Sequence, residues 1–333
     1  MTSPGFPRLQ ERVRELSDEQ RYADAYRLVT DEGPQFTENE SDVYYLRSCA
    51  AARMGDADLA VALLREALAR GHWYGEVLLR QSPSWDFLQG TADFEEAARE
   101  STARQRAASG PSRYLAMGHE AGAEQYRAVV ALHGNGGNAH ESMSGWRGVV
   151  GEGRLLVAFQ SSQWIARNRA VWDDEAVALR DVREQYAALT ADRRLDPGHL
   201  VVAGFSMGAE TALRTALEGS VPARGFVLLG MAGPRTAHPA SWMPFIERRR
   251  RSGLPLRGFF LVGADDDGGV RYEKLSALAG FLASQGVPCE VEVLPGLGHE
   301  YPGDLLPHIR RALAFIDSDD RGHAVADGPS SAS

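Results

Sequence analysis

The sequence predicts an α/β protein: a mostly parallel sheet with helices on both faces, preceded by an all-α helical-repeat region. Three observations carry this. From Arg113 onward, short apolar runs alternate with helical stretches, the βαβα rhythm of a parallel sheet. Before about residue 110 the chain is rich in Ala, Leu, Arg and Glu at helical spacing, with few β-branched runs. And the apolar run at residues 200–203 leads into Gly204-Phe205-Ser206-Met207-Gly208, a strand-to-helix junction with a serine at its apex.

Residues 1–110 are expected to form a helical domain with an internal repeat. The segments 20–25, 55–60 and 92–97 share a turn, an acidic or polar pair and then a small residue. Their final alanines, Ala25, Ala60 and Ala97, fall 35 and 37 positions apart, close to a helix-turn-helix period. Tyr44, Ala51, Gly55, Ala60, Leu64 and Ala67 stand where packing residues recur in tetratricopeptide repeats, so residues 17–108 resemble a degenerate array of them. Small residues there let paired helices approach closely. Such a region serves as a surface for a protein partner or self-association, or as a cap over the second domain. The cap is preferred, because so short an array gains most by burying its open face.

In residues 111–318, strands are expected at 126–132, 154–159, 199–205, 225–229, 258–262 and 288–294. Helices are expected at 174–189, 207–217, 242–251, 271–285 and 302–315. Residues 319–333 are polar and are expected to be a disordered tail.

A serine hydroxyl is a poor nucleophile until a base takes its proton. The small residues two before and two after Ser206 permit a turn tight enough to lift its hydroxyl above the sheet edge. Of nine histidines, His299 alone combines a position after a late strand with one before the last helix, which makes it the candidate base. His199 is expected to be buried at the far end of the elbow strand, and His133 to be structural. The base needs a carboxylate to fix its tautomer. Asp265-Asp266-Asp267 follows the strand at 258–262: spacing from Gly263 favours Asp266, spacing to Val270 favours Asp267, and Asp265 also fits. Asp266 is chosen. The glycine-rich loop at 133–138 follows the first long strand, and its Asn135 N–H, with the Met207 N–H, would hold a developing oxyanion.

Together, the H-G-N-G-G loop, the G-F-S-M-G elbow, the aspartates and G-H-E resemble the α/β-hydrolase family, in its carboxylesterase/phospholipase and dienelactone-hydrolase-like branches, over residues 113–317. The Ser, Asp, His order is the family's. Dienelactone hydrolases carry cysteine at the elbow, so Ser206 favours esterase chemistry, and the short stretch between Gly230 and Arg257 leaves little room for a lid. The resemblance implies a small-molecule ester or thioester substrate, an acyl-enzyme on Ser206 and no metal or organic cofactor. Acyltransferase, cyclase or peptidase activity on the same triad stays open. Gly136, Gln160, Trp164 and Trp172 are candidate substrate-binding residues, the alternative being that the tryptophans anchor their loop; Asp173 or Asp174 would cap the next helix.

Composition sets bounds. A net charge of −9, from 36 basic and 45 acidic residues, argues against nucleic acid or an anionic membrane as partner. The basic run Arg248–Arg251 reads as a solvated helix end. Two distant cysteines, no apolar stretch of eighteen residues and no signal-peptide pattern near Met1 give a cytoplasmic expectation. Two rivals are weighed. A dinucleotide-binding oxidoreductase would use Gly134-Asn135-Gly136-Gly137-Asn138-Ala139, but the next strand ends in Phe159-Gln160 without the acid such a fold needs. A non-catalytic helical-repeat interaction protein leaves the Ser, Asp and His series unexplained.

Overall fold

The computed structural model describes residues 5–108, 113–118, 125–266 and 271–318. Asp267, the boundary expected near 110 and the tail at 319–333 lie outside the described residues. In chain order, the helices of the first part are α1 (Phe6–Asp18), α2 (Tyr22–Glu32), α3 (Glu40–Arg53), α4 (Ala57–Ala69), α5 (Glu76–Arg80) and α6 (Ala92–Ala108). There follow β1 (Leu115–Met117), β2 (Tyr126–Leu132), α7 (Ala139–Gly145), β3 (Leu155–Phe159), β4 (Gln163–Ala166), β5 (Arg169–Val171), α8 (Glu175–Asp192) and β6 (Leu195–Phe205). The chain continues through α9 (Met207–Glu218), β7 (Gly225–Leu229), α10 (Met243–Ser252), β8 (Arg257–Gly263), α11 (Tyr272–Ser284), β9 (Cys289–Leu294) and α12 (Leu306–Asp317).

Two compact units result, and each draws on separated stretches of sequence. One holds the residues through Arg113 together with 135–144 and 160–181; the other holds 114–134, 145–159 and 182 onward.

In the first unit, the three repeated segments open α2, α4 and α6, and Ala25, Ala60 and Ala97 are all buried. Asp56 caps α4 by accepting from the Leu59 N–H. Leu64, Tyr74, Trp85 and Phe94 centre the larger core cluster, which takes in Ala166 of β4. A second cluster gathers Phe6, Leu9, Val29 and Phe36. β4 and β5 form an antiparallel hairpin whose two-residue turn carries Asn168 at a φ of 65°, a conformation asparagine tolerates.

In the second unit, a seven-stranded sheet runs β1-β3-β2-β6-β7-β8-β9, parallel throughout except for β1 against β3. β3 and β7 are buried along their whole length, as strands covered on both faces must be. The order reverses at β2: β3 lies to one side, β6 to the other. Leu132 pairs with Gly204 at the carboxyl ends of β2 and β6, and ligands of open α/β sheets bind outside strand ends at such a reversal.

β2 and β7 have the bounds read from sequence, and the other long elements differ by a few residues at their ends. β1, β4, β5 and α7 were not foreseen, because elements of three to seven residues carry too few apolar repeats to show a period.

Candidate active site

The elbow is built by close backbone approach. Ser206 holds φ 55° and ψ −126° between β6 and α9, a region that costs a non-glycine residue on the order of 1–3 kcal/mol. Its N–H donates to Leu229 O (3.0 Å), and its carbonyl accepts from the Ala209 (3.0 Å) and Ala232 (3.2 Å) N–H groups, so neighbouring backbone holds the strain. A Cβ on Gly204 would lie 2.4 Å from Gly208 O, and one on Gly208 would lie 2.2 Å from His133 O. No side chain fits at either position. Met207 opens α9, so its N–H lacks an intrahelical acceptor.

His299, after β9, places Nε2 2.9 Å from Ser206 Oγ and Nδ1 2.8 Å from Asp266 Oδ2. A carboxylate can only accept, so Nδ1 carries the proton and the Nε2 lone pair faces the serine hydroxyl. Asp266 follows β8 and is buried, whereas the adjacent Asp265 is exposed and its N–H donates to Leu297 O. The Asp266 carboxylate is therefore the described member of the acidic run that meets the histidine.

Three residues around this series escaped the sequence reading. The Phe205 ring lies 4.9 Å from the His299 ring and 4.8 Å from Tyr301. Gly230, at φ +49°, leaves the space where a Cβ would come within 3.5 Å of both Asp266 Oδ2 and His299 Nδ1. Tyr301 also presses on Gly145, where a Cβ would lie 2.4 Å from its ring. Only adjacency to Ser206 and His299 could have pointed to Phe205 and Tyr301.

His133 is wholly buried, with Nδ1 donating to Gly134 O (2.8 Å), and burial pushes its imidazole down to about 4. It is neutral at pH 7. His199 is only half-buried, contrary to expectation, because β6 begins earlier at Leu195 and brings Asp196 within 2.7 Å of its Nδ1. Glu210, one turn after the elbow, is buried and accepts from the Arg235 N–H (3.1 Å) and Thr236 Oγ1 (2.8 Å); burial raises its carboxyl. The basic run ends α10, but Arg249 within it is buried and donates to Ala223 O and Pro255 O, which corrects its reading as solvated.

In the other unit, the Asn135 side chain accepts from the Trp172 N–H (2.9 Å) and donates to Asp173 Oδ1 (2.6 Å). Gly136, at φ +78°, donates its N–H to Ala170 O (2.8 Å). Gln160 is buried, its Oε1 accepting from the Ala139 N–H. Trp172 is buried and Trp164 packs on the core cluster of the helical region. Asp174 caps α8 through the Ala176 and Val177 N–H groups. Among the described residues, no group of three or more His, Cys, Asp or Glu could hold a metal ion, and no helix is long and apolar enough to cross a membrane.

Residues 6–109 match a family described as "A/B hydrolase-like, N-terminal domain". A solved structure of an uncharacterized protein from Bacillus cereus is similar at a TM-score of 0.53 and 22% identity, over 95% of this chain and 99% of that one. The fold is that of the α/β-hydrolases. Two further solved structures are less similar. Esterase PE8 has a TM-score of 0.48 and 19% identity, over 62% of this chain and 98% of that one. A Staphylococcus aureus fluorophosphonate-binding serine hydrolase has 0.45 and 14%, over 63% and 100%. No curated protein matches by sequence.

Proposed function

We propose that the protein is a serine hydrolase that cleaves a small carboxylic ester or thioester through an acyl-enzyme. The hydrogen-bonded series Asp266–His299–Ser206, on a serine held in strained backbone, carries this reading. Ser206 Oγ attacks the acyl carbon while its proton passes to His299 Nε2. Asp266 holds the imidazole in the required tautomer and stabilises its charged form. The Met207 amide, at the start of α9, takes the developing oxyanion. As the bond to the leaving alcohol or thiol breaks, His299 returns the proton to it. Water then gives a proton to His299 and attacks the acyl carbon, and Ser206 leaves as its hydroxyl is restored.

A fluorophosphonate probe tests the nucleophile: it should label the wild type at one residue and leave Ser206→Ala unlabelled. An unlabelled wild type defeats the proposal. A chain-length series of p-nitrophenyl esters and acyl thioesters, with hydroxylamine as a competing acceptor, then separates hydrolysis from acyl transfer.

A further inference from the structure

A strained serine keeps its conformation only while its surroundings over-determine it. Two of the backbone partners of Ser206 are fixed by regular structure: Leu229 lies in β7 and Ala209 in α9. The third is different. Ala232, whose N–H donates to Ser206 O (3.2 Å), belongs to the irregular connection between β7 and α10. The same connection begins with Gly230, the glycine beside Asp266 and His299, whose N–H donates to Leu261 O (2.9 Å). Just beyond Ala232 the chain meets Glu210. That side chain is buried, stands one turn after Ser206 on α9, and receives at Oε2 both the Arg235 N–H (3.1 Å) and the Thr236 hydroxyl (2.8 Å). Thr236 is wholly buried, and its N–H closes a turn onto Gly233 O (3.2 Å). The fit leaves no slack, since a Cβ on Gly233 would lie 2.2 Å from Glu210 Oε2.

We propose that Glu210 is a positioning residue for the nucleophile: it ties residues 233–236 to the elbow helix and so keeps the Ala232 N–H on Ser206 O. The inference rests on the serine hydrolase reading above and adds a residue that the reading does not use. For stability alone, an apolar side chain of similar size would serve at this buried helical position, because a buried carboxyl costs free energy that its hydrogen bonds only partly return. What the carboxyl adds is direction. It fixes an N–H and a hydroxyl that an apolar contact would leave free to slide. A displacement of about 1 Å at the reacting atoms can cost on the order of 100-fold in rate.

The test uses the full chain with Glu210→Met, Glu210→Gln, Thr236→Val and Thr236→Ser, each checked for its thermal transition. On p-nitrophenyl acetate, Glu210→Met should lower kcat about 10- to 100-fold with KM within about twofold. The second-order rate of fluorophosphonate labelling should fall by the same factor, since it reads Ser206 before any acyl group leaves. Both hydrogen bonds converge on Oε2, so an amide oxygen in that place retains them, and Glu210→Gln should recover most of kcat. Thr236→Val should lose part of kcat and Thr236→Ser should regain it. Wild-type kcat and labelling in Glu210→Met, or a rise in KM at constant kcat, overturns the inference. If Glu210→Met does not fold, the threonine pair decides: equal kcat in Thr236→Val and Thr236→Ser overturns it equally. Labelling separates the failures: a labelled wild type with unaffected variants sinks only this inference, whereas an unlabelled wild type removes the reading beneath it.

Discussion

The Ser206–His299–Asp266 series and the Asn135 loop are held in place by different means. Ser206, Asp266 and His299 sit just beyond β6, β8 and β9 of one parallel sheet, and short turns aim them: the Ser206 N–H to Leu229 O, the Asp265 N–H to Leu297 O. The Asn135 loop lies in the unit built around the helices, secured by a hairpin whose own anchors are far off in sequence, 59 residues for Gln105–Trp164 and 127 for Arg169–Asp42. A strand end displays a side chain by virtue of the sheet alone. A glycine-rich loop has no such default geometry, and distant structure must supply it.

The contrast can be broken first at the hydrogen-bonded Ser206–His299–Asp266 series. Ser206→Ala should reduce kcat on p-nitrophenyl acetate by about 10⁶-fold with folding intact, since members of such a triad act as a unit. Within the acidic run, Asp266→Asn should cost about 10⁴-fold by leaving His299 in the wrong tautomer, while Asp265→Asn should stay within about twofold. Equal losses at both positions would mean that the run acts only as a charged patch.

Smaller effects bear on the supports. Gly208→Ala should destabilise the protein by about 3 kcal/mol or prevent folding, as its Cβ would meet His133 O at 2.2 Å; urea midpoints measure this. His133 gives a pH signature. Its folded value of about 4 lies below the ordinary histidine value, so between pH 6.5 and 4 the unfolded chain binds more protons and stability falls on acidification. The loss from this group reaches about 3 kcal/mol by pH 4. Urea midpoints at pH 7.5 and 4.5 should show a smaller acid loss in His133→Asn, even though the variant is weaker at pH 7.5. Smallest is Gln105→Ala, which removes a bond to Trp164 O and should cost about 1 kcal/mol of stability, read from the same urea midpoints.

Much of the second unit was legible because its strands are long apolar runs and its elbow has a spacing set by steric contact. The glycines at 204 and 208 are demanded by backbone atoms that any such turn brings together. In the first unit, Ala25, Ala60 and Ala97 are buried in helices that begin within two residues of the segments' first positions. The hairpin was not legible, since residues 163–171 hold two strands of only four and three residues, too short to show a period.

By itself, then, the sequence determined the parallel sheet, the serine at its strand-to-helix turn and the histidine after the last strand, all consequences of local steric rules and apolar periodicity. Tertiary structure decided the rest. Among adjacent aspartates, direction follows from a turn closed by Leu294 O and Leu297 O, contacts that lie some thirty residues on and have no local signature. The joining of residues 135–144 and 160–181 to the N-terminal helices was likewise decided there, because hydrogen bonds and packing between distant segments leave no period in the chain.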